Sequence, residues 1–170
     1  ARGRCSERLA GTEAYLPWLE ALDGLLRGAD GQSRTSLLSS ESIVQTTKRL
    51  APTWYAQAMP LQPDDSSVER LLAERAASQE RMKREFGALL EEVSERRPIV
   101  LFFDDLHWAD VSTIDLLAYL ASKFDSIRTL IIATYRPSDL LLAKHPFLQV
   151  RPDLRARGVC REIELDFLSR

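Results

Sequence analysis

Two adjacent carboxylates, Asp104 and Asp105, follow directly on the apolar run Ile99-Val100-Leu101-Phe102-Phe103. A continuous run of this kind is what a strand buried on both faces of a parallel sheet requires, and packing gives no reason for two acids at its end. Open α/β sheets bind their ligands at the carboxyl ends of the strands. An acid there suits a hard cation such as magnesium, which takes oxygen ligands, keeps several waters and is held by one or two carboxylates together with substrate phosphates. On that reading Asp104 orients the magnesium shell, and Asp105 polarises an attacking water or receives its proton. The alternative on the residues alone is that both acids cap the turn and helix that follow.

The elements that must position these acids are legible in the pattern. Thr129-Leu130-Ile131-Ile132-Ala133-Thr134 is a second continuous apolar run. Between the two, Asp110 or Ser112 caps a helix reaching about Phe124, with Ile114, Leu116, Leu117, Tyr119 and Leu120 apolar. Strand, helix and strand within about 36 residues make a βαβ unit with a right-handed crossover, so the fold class is α/β. Upstream, Trp18 to Leu26 keeps helical spacing with Pro17 in its first turn, and a shorter helix covers about Ser42 to Leu50. A long helix is expected from about Val68 to Arg96, striped by Met82, Phe86, Leu89, Leu90 and Val93, with Glu80–Arg84 and Glu92–Arg96 as solvated i,i+4 pairs. After Arg136-Pro137, Leu140 to Ala143 suits a helical turn. Pro146 and Pro152 are expected to break the chain, with a short helix at Asp153 to Arg157. The alternation of Glu162 to Phe167 reads as a last strand near the sheet edge.

With 170 residues, 45% of them hydrophobic, the chain can bury a core without disulfides or metals. Its net charge of -2 is spread among interspersed acids and bases, so no basic face indicates nucleic acid or an anionic membrane. Cys5 and Cys160 stand far apart with no CxxC pair and only two His in the chain, which argues against a zinc site or disulfide framework. Both read as buried thiols of a reducing cytoplasm. These residues contain no run of about 18 apolar residues and no signal-peptide pattern. Opening in mid-pattern at Ala1 without Met, and stopping at Arg170, the chain reads as a piece of a longer protein.

The segment Leu101-Phe102-Phe103-Asp104-Asp105-Leu106-His107-Trp108-Ala109-Asp110 resembles the Walker B segment of the large bacterial regulatory ATPases of the AAA+ and STAND groups, in which DDLHWAD recurs. The likeness extends upstream through Ala51-Pro52-Thr53-Trp54 and Arg81-Met82-Lys83-Arg84-Glu85, and downstream through Ala133-Thr134-Tyr135-Arg136-Pro137. It implies a P-loop NTPase fold, a three-layer sandwich on a mainly parallel sheet with a helical insertion before the Walker B strand. The whole of 1–170 would be one partial domain, with a mainly helical segment at 14–97 and a Walker B and sensor βαβ segment at 98–170. The resemblance makes Asp104 the acid on magnesium and Asp105 the residue that activates water, where many relatives carry Glu. It makes Arg136 the sensor arginine on the nucleotide's terminal phosphate, a contact that a guanidinium fork suits. The implied cofactors are ATP and Mg2+. The implied partners are the nucleotide, other domains of a larger parent and, in that parent, further copies of itself. His107 and Trp108 are expected to pack under the loop.

A phosphate-binding loop needs G-x-x-x-x-G-K-[ST], whose backbone N–H groups and Lys cradle the phosphates while the hydroxyl holds magnesium. The chain has no match: Gly28-Ala29-Asp30-Gly31-Gln32-Ser33-Arg34-Thr35 has the wrong spacing and no Lys. In the resembled family Gly3-Arg4-Cys5 would lie on the strand after the P-loop helix, so the loop is expected upstream of Ala1. The sheet is then expected to hold Ala1–Cys5, Ile99–Phe103, Thr129–Thr134 and Glu162–Phe167 without the central P-loop strand, and the chain alone is expected to hydrolyse little or no ATP. Two other readings stay open. One is a non-catalytic interaction domain with a degenerate ATPase fold, presenting its long helix to a partner. The other is a metal-dependent phosphohydrolase using Asp104, Asp105 and His107.

Overall fold

A computed structural model of the chain describes residues 1–6, 14–27, 40–58 and 79–165. Its sheet has three parallel strands in the order β1 (Arg2–Arg4), β2 (Ile99–Asp104), β3 (Thr129–Ala133). Gly3 pairs with Phe103 and Arg4 with Asp104 on one side of β2, while Leu101 pairs with Ile131 and Phe103 with Ala133 on the other. Paired residues share a face and successive residues alternate between faces. One face therefore carries Gly3, Ile99, Leu101, Phe103 and Ile131, and the other carries Arg2, Val100, Phe102, Asp104, Leu130 and Ile132.

The first face is covered by helices. These are α1 (Leu16–Arg27), α2 (Ser40–Leu50), α3 (Pro52–Ala58), α4 (Gln79–Arg96) and α5 (Val111–Ala121). Its centre is a chain of fully buried rings, with centroids of Trp18 and Phe103 4.5 Å apart, Trp18 and Phe86 5.4 Å, and Trp54 and Phe86 4.4 Å. Edge-to-face and tilted contacts of this kind add to the area the rings bury. Both buried indoles satisfy their N–H, Trp18 on the Thr113 carbonyl at 3.1 Å and Trp54 on the Met82 carbonyl at 2.8 Å. Glu85 of α4 caps α3, accepting from Thr53 N at 3.0 Å and Thr53 Oγ1 at 3.1 Å, and is steadied by Arg81 Nε at 2.9 Å. The two upstream stretches singled out in the sequence thus meet each other around Trp54 and Glu85. α1 approaches β1 so closely that a Cβ on Gly3 would lie 2.0 Å from the Pro17 carbonyl oxygen.

The structure corrects several expectations. The α/β class and parallel sheet hold, but the apolar run of β2 is buried on one face only. Val100, Leu130 and Ile132 are exposed on the second face, so the third layer of the expected sandwich is not present among the described residues. Glu162–Leu165 forms no strand. Glu162 is drawn instead to α7 (Phe147–Ala156), taking Arg151 Nε at 3.0 Å and Arg155 Nη1 at 3.1 Å, and it accepts the Tyr135 hydroxyl at 2.8 Å. Three charge-assisted bonds hold this segment, with no strand partner among the described residues. Residues 166–170 lie outside the described residues, as do the 68–78 portion of the expected long helix and the Gly28–Thr35 stretch. Glu80 pairs with Lys83 at 2.7 Å, and Arg84 turns to the Glu80 carbonyl. Pro152 does not end a helix but lies inside α7, whose Phe147 and Leu154 are buried in the core. Between β3 and α7, Pro137–Leu142 forms a short helix, α6, with Pro137 at its first turn.

Candidate functional site

β2 stops where it does because Asp105 turns left-handed, at φ 57 and ψ 46. Asp tolerates that region better than most side chains, though at a cost that clusters at working sites. The chain then makes a tight 3-10 turn, Leu106–Trp108, anchored by buried Leu106. α5 opens on Asp110, whose Oδ1 accepts from Thr113 N at 3.0 Å, so Asp110 and not Ser112 is the cap. Because all three strands run parallel, Arg4, Asp104 and Thr134 leave the sheet at the same carboxyl rim.

Thr134 organises that rim. Its backbone donates to the Phe103 carbonyl at 2.9 Å and accepts from Leu106 N at 2.8 Å. Its Oγ1 donates to Asp104 Oδ1 at 2.8 Å and accepts the Asp105 N–H at 3.0 Å. The other oxygen of Asp104 takes Arg2 Nη2 at 2.6 Å, and that guanidinium also lies over the Phe102 ring, 5.5 Å from its centroid. The Thr134 hydroxyl, then the Arg2 guanidinium, hold the Asp104 carboxyl below its ordinary 3.8. The Asp105 side chain is about half exposed, facing solvent at the rim.

Arg136 is extended, directly before α6, and its side chain is 73% exposed. Its Nη1 is 3.9 Å from Asp139 Oδ2, which lies 3.4 Å from His107 Nε2. His107 packs as expected: it is buried, with its ring centroid 5.1 Å from that of half-buried Trp108. Beneath the rim, Cys5 donates its N–H to the Asp104 carbonyl at 3.0 Å. Burial first, then the charges of Asp110, Glu20, Asp105 and Asp104, push its thiol up to about 12. Cys5 is thus the buried thiol expected of it, whereas Cys160 is half-buried.

The family model of the AAA ATPase domain matches residues 1–132. The chain belongs to the AAA ATPase domain family. Neither the comparison with curated proteins nor that with solved structures returns a match to it. The span shared with the AAA ATPase domain includes the ring core, β1, β2 and both acids, and ends just before Thr134 and Arg136. An AAA ATPase domain is a nucleotide-binding unit, and its acids stand on the rim where an open α/β sheet takes ligands.

The donor set of this AAA ATPase domain suits magnesium. Asp104 is held in its charged form at the rim, and it already attracts a cation, the Arg2 guanidinium. Among the described residues no three His, Cys, Asp or Glu side chains converge to hold a metal by themselves. A hard cation at Asp104 would therefore need ligands beyond the described side chains, such as phosphate oxygens and water. The phosphohydrolase reading, which needs further protein ligands, gains nothing from this arrangement. The sequence pattern singles out Asp104, Asp105 and Arg136, and the structure sets Thr134, Asp139 and Arg2, to which the pattern gives no role, beside them. The parallel register held the signal for Thr134, since continuing the β2–β3 pairing by one residue sets it beside the first acid.

Proposed function

We propose that this domain couples ATP binding and hydrolysis to a conformational switch in a signalling or transcription-regulatory protein of the AAA+ and STAND kind. The observation that carries the reading is Thr134 bonded to both acids at the carboxyl rim of a sheet in an AAA ATPase domain. Asp104 would hold Mg2+, and Thr134 and Arg2 orient its two oxygens. Bound magnesium neutralises charge on the β- and γ-phosphates. Asp105, left-handed and half-exposed, would accept a proton from an attacking water. Arg136, exposed on the turn out of β3 with Asp139 at 3.9 Å, would exchange that acid for a terminal phosphate, a contact that a planar fork of donors makes well. A phosphate held there draws on the turn that carries α6, which is how a ligand orders or releases a switch segment.

The sequence holds no G-x-x-x-x-G-K-[ST], so these 170 residues alone should bind phosphate weakly and turn over little ATP. The test is ATP binding with and without magnesium, by this chain and by a version extended upstream of Ala1. Binding should depend on magnesium, be stronger in the extended protein, and lose its magnesium dependence in Asp104→Ala. Equal affinity with and without the metal in the extended protein would overturn the reading.

A further inference from the structure

His107 has 1% of its side chain exposed, and neither ring nitrogen has a hydrogen-bond partner. A buried imidazole left this way is costly, and an apolar side chain of the same shape would pack without that cost. The ring is not aimed at random. Nε2 lies 3.4 Å from Asp139 Oδ2 and 4.0 Å from Asp105 Oδ1, close to two carboxylates and bonded to neither. The oxygen of Asp139 that faces the ring is the same one that faces Arg136 Nη1 at 3.9 Å, while its other oxygen takes the Ser138 hydroxyl at 3.1 Å. One nitrogen is therefore placed between two acids, and one oxygen between a histidine and the sensor arginine. A shift of about half an ångström would close the bond to Asp139, and about one ångström the bond to Asp105.

We infer that His107 and Asp139 are positioning residues that transmit the engagement of Arg136 to Asp105. While Arg136 shares Asp139 Oδ2, the Nε2–H of His107 is left between the two acids, and Asp105 Oδ1 stays facing it and is restrained there. When Arg136 leaves for an anionic phosphate, Asp139 Oδ2 takes the Nε2–H, and Asp105 is released toward water. The backbone of Asp105 stays fixed on Thr134 throughout, so only its half-exposed carboxyl needs to turn. The inference rests on the ATPase reading of Asp105 and Arg136, and its test separates the two.

The first arm uses the 15N-labelled 170-residue chain and long-range 15N–1H spectra. His107 is expected as the Nε2–H tautomer, and Asp139→Asn, on a partly exposed side chain, is expected to shift both its ring nitrogens and the Asp105 amide. An Nδ1–H tautomer, or a His107 ring indifferent to Asp139→Asn, would overturn the pairing. The second arm measures Mg·ATP hydrolysis by the full-length protein. Asp139→Asn should lower kcat about tenfold, the usual scale for losing a carboxylate that orients a histidine, with KM within about twofold, and Asp139→Glu should recover part of it. An unchanged kcat, or a loss carried by KM alone, sinks the coupling. If the wild-type protein hydrolyses no ATP, the ATPase reading fails and takes the consequence for Asp105 with it, while the ring spectra still decide the pairing.

Discussion

Thr134 donates its hydroxyl to Asp104 Oδ1 at 2.8 Å while accepting the N–H of Asp105 at 3.0 Å, so one side chain leaving β3 fixes both acids leaving β2. Thr134→Val keeps the shape and removes both bonds. It should cost about 1 kcal/mol in chemical denaturation, the net worth of a partly exposed hydrogen bond, while Thr134→Ser should cost less. The carboxyl of Asp104 should also rise toward its ordinary value, because its largest lowering influence is gone. A depressed carboxyl supports the fold above its unfolded value and loses that support as pH falls through its folded value. Thr134→Val should therefore be less acid-sensitive at this group, which a carboxyl 13C titration of Asp104 reads directly.

Asp105 occupies a left-handed conformation that Asn adopts as readily as Asp. Asp105→Asn should thus leave the fold and nucleotide binding in place. Turnover by the full-length protein should fall by roughly a hundredfold or more, the scale of a lost general base. Asp104→Ala should act on the other quantity and weaken magnesium-dependent binding. Equal turnover in Asp105→Asn would take the proton-accepting role away from that side chain.

How much of this was legible follows from what each pattern encodes. The run Ile99–Phe103 into two acids specified β2 and the carboxyl-end position of the acids, because an apolar run with charges attached admits few other positions in an α/β fold. The same run was misleading about burial. Continuity says that both faces can be buried, and the exposed Val100, Leu130 and Ile132 show that cover also depends on neighbours that the run itself does not contain. Glu162 to Phe167 alternates like a strand, yet Glu162 has Arg151, Arg155 and Tyr135 within reach, and side-chain partners across the fold are invisible in local periodicity. Thr134, Asp139 and Arg2 were missed for a related reason. Each is unremarked in its own segment and matters only through the residue that parallel pairing or the α6 turn sets beside it.

The two glycines nearest β1 should respond in opposite directions to the same substitution. At Gly3 a Cβ would stand 2.0 Å from the Pro17 carbonyl oxygen and 3.0 Å from the Phe103 ring, and a backbone atom at the start of α1 cannot yield cheaply. Gly3→Ala should destabilise by about 1–3 kcal/mol or more, as overpacking does. At Gly24, inside α1, the neighbour among the described residues is the Ala1 Cβ at 3.8 Å, an ordinary contact. Gly24→Ala should stabilise by roughly 0.5–1 kcal/mol through helix propensity. Denaturant midpoints of the two variants decide both signs.

His145 gives the fold a pH dependence that can be assigned to one ring. It is buried, its Nε2 contacts the Ala109 carbonyl at 2.8 Å and its Nδ1 accepts from Phe147 N at 3.3 Å, an arrangement for the neutral Nε2–H form. Burial first, and the neighbouring His107 as well, lower its value from the ordinary 6.5, against the bond to Ala109, which raises it. Above about pH 7 neither the folded nor the unfolded ring binds a proton, and the group contributes no slope. As pH falls through 6.5 the unfolded ring takes up a proton that the folded one refuses, so stability drops until the pH passes below the folded value. One such group contributes at most about 1.4 kcal/mol per pH unit. His145→Gln keeps a donor for Ala109 and has no proton to gain, so its denaturation free energy should fall less steeply between pH 7 and pH 5 than that of the wild type. Parallel slopes for the two proteins would mean that the pH dependence arises at another group.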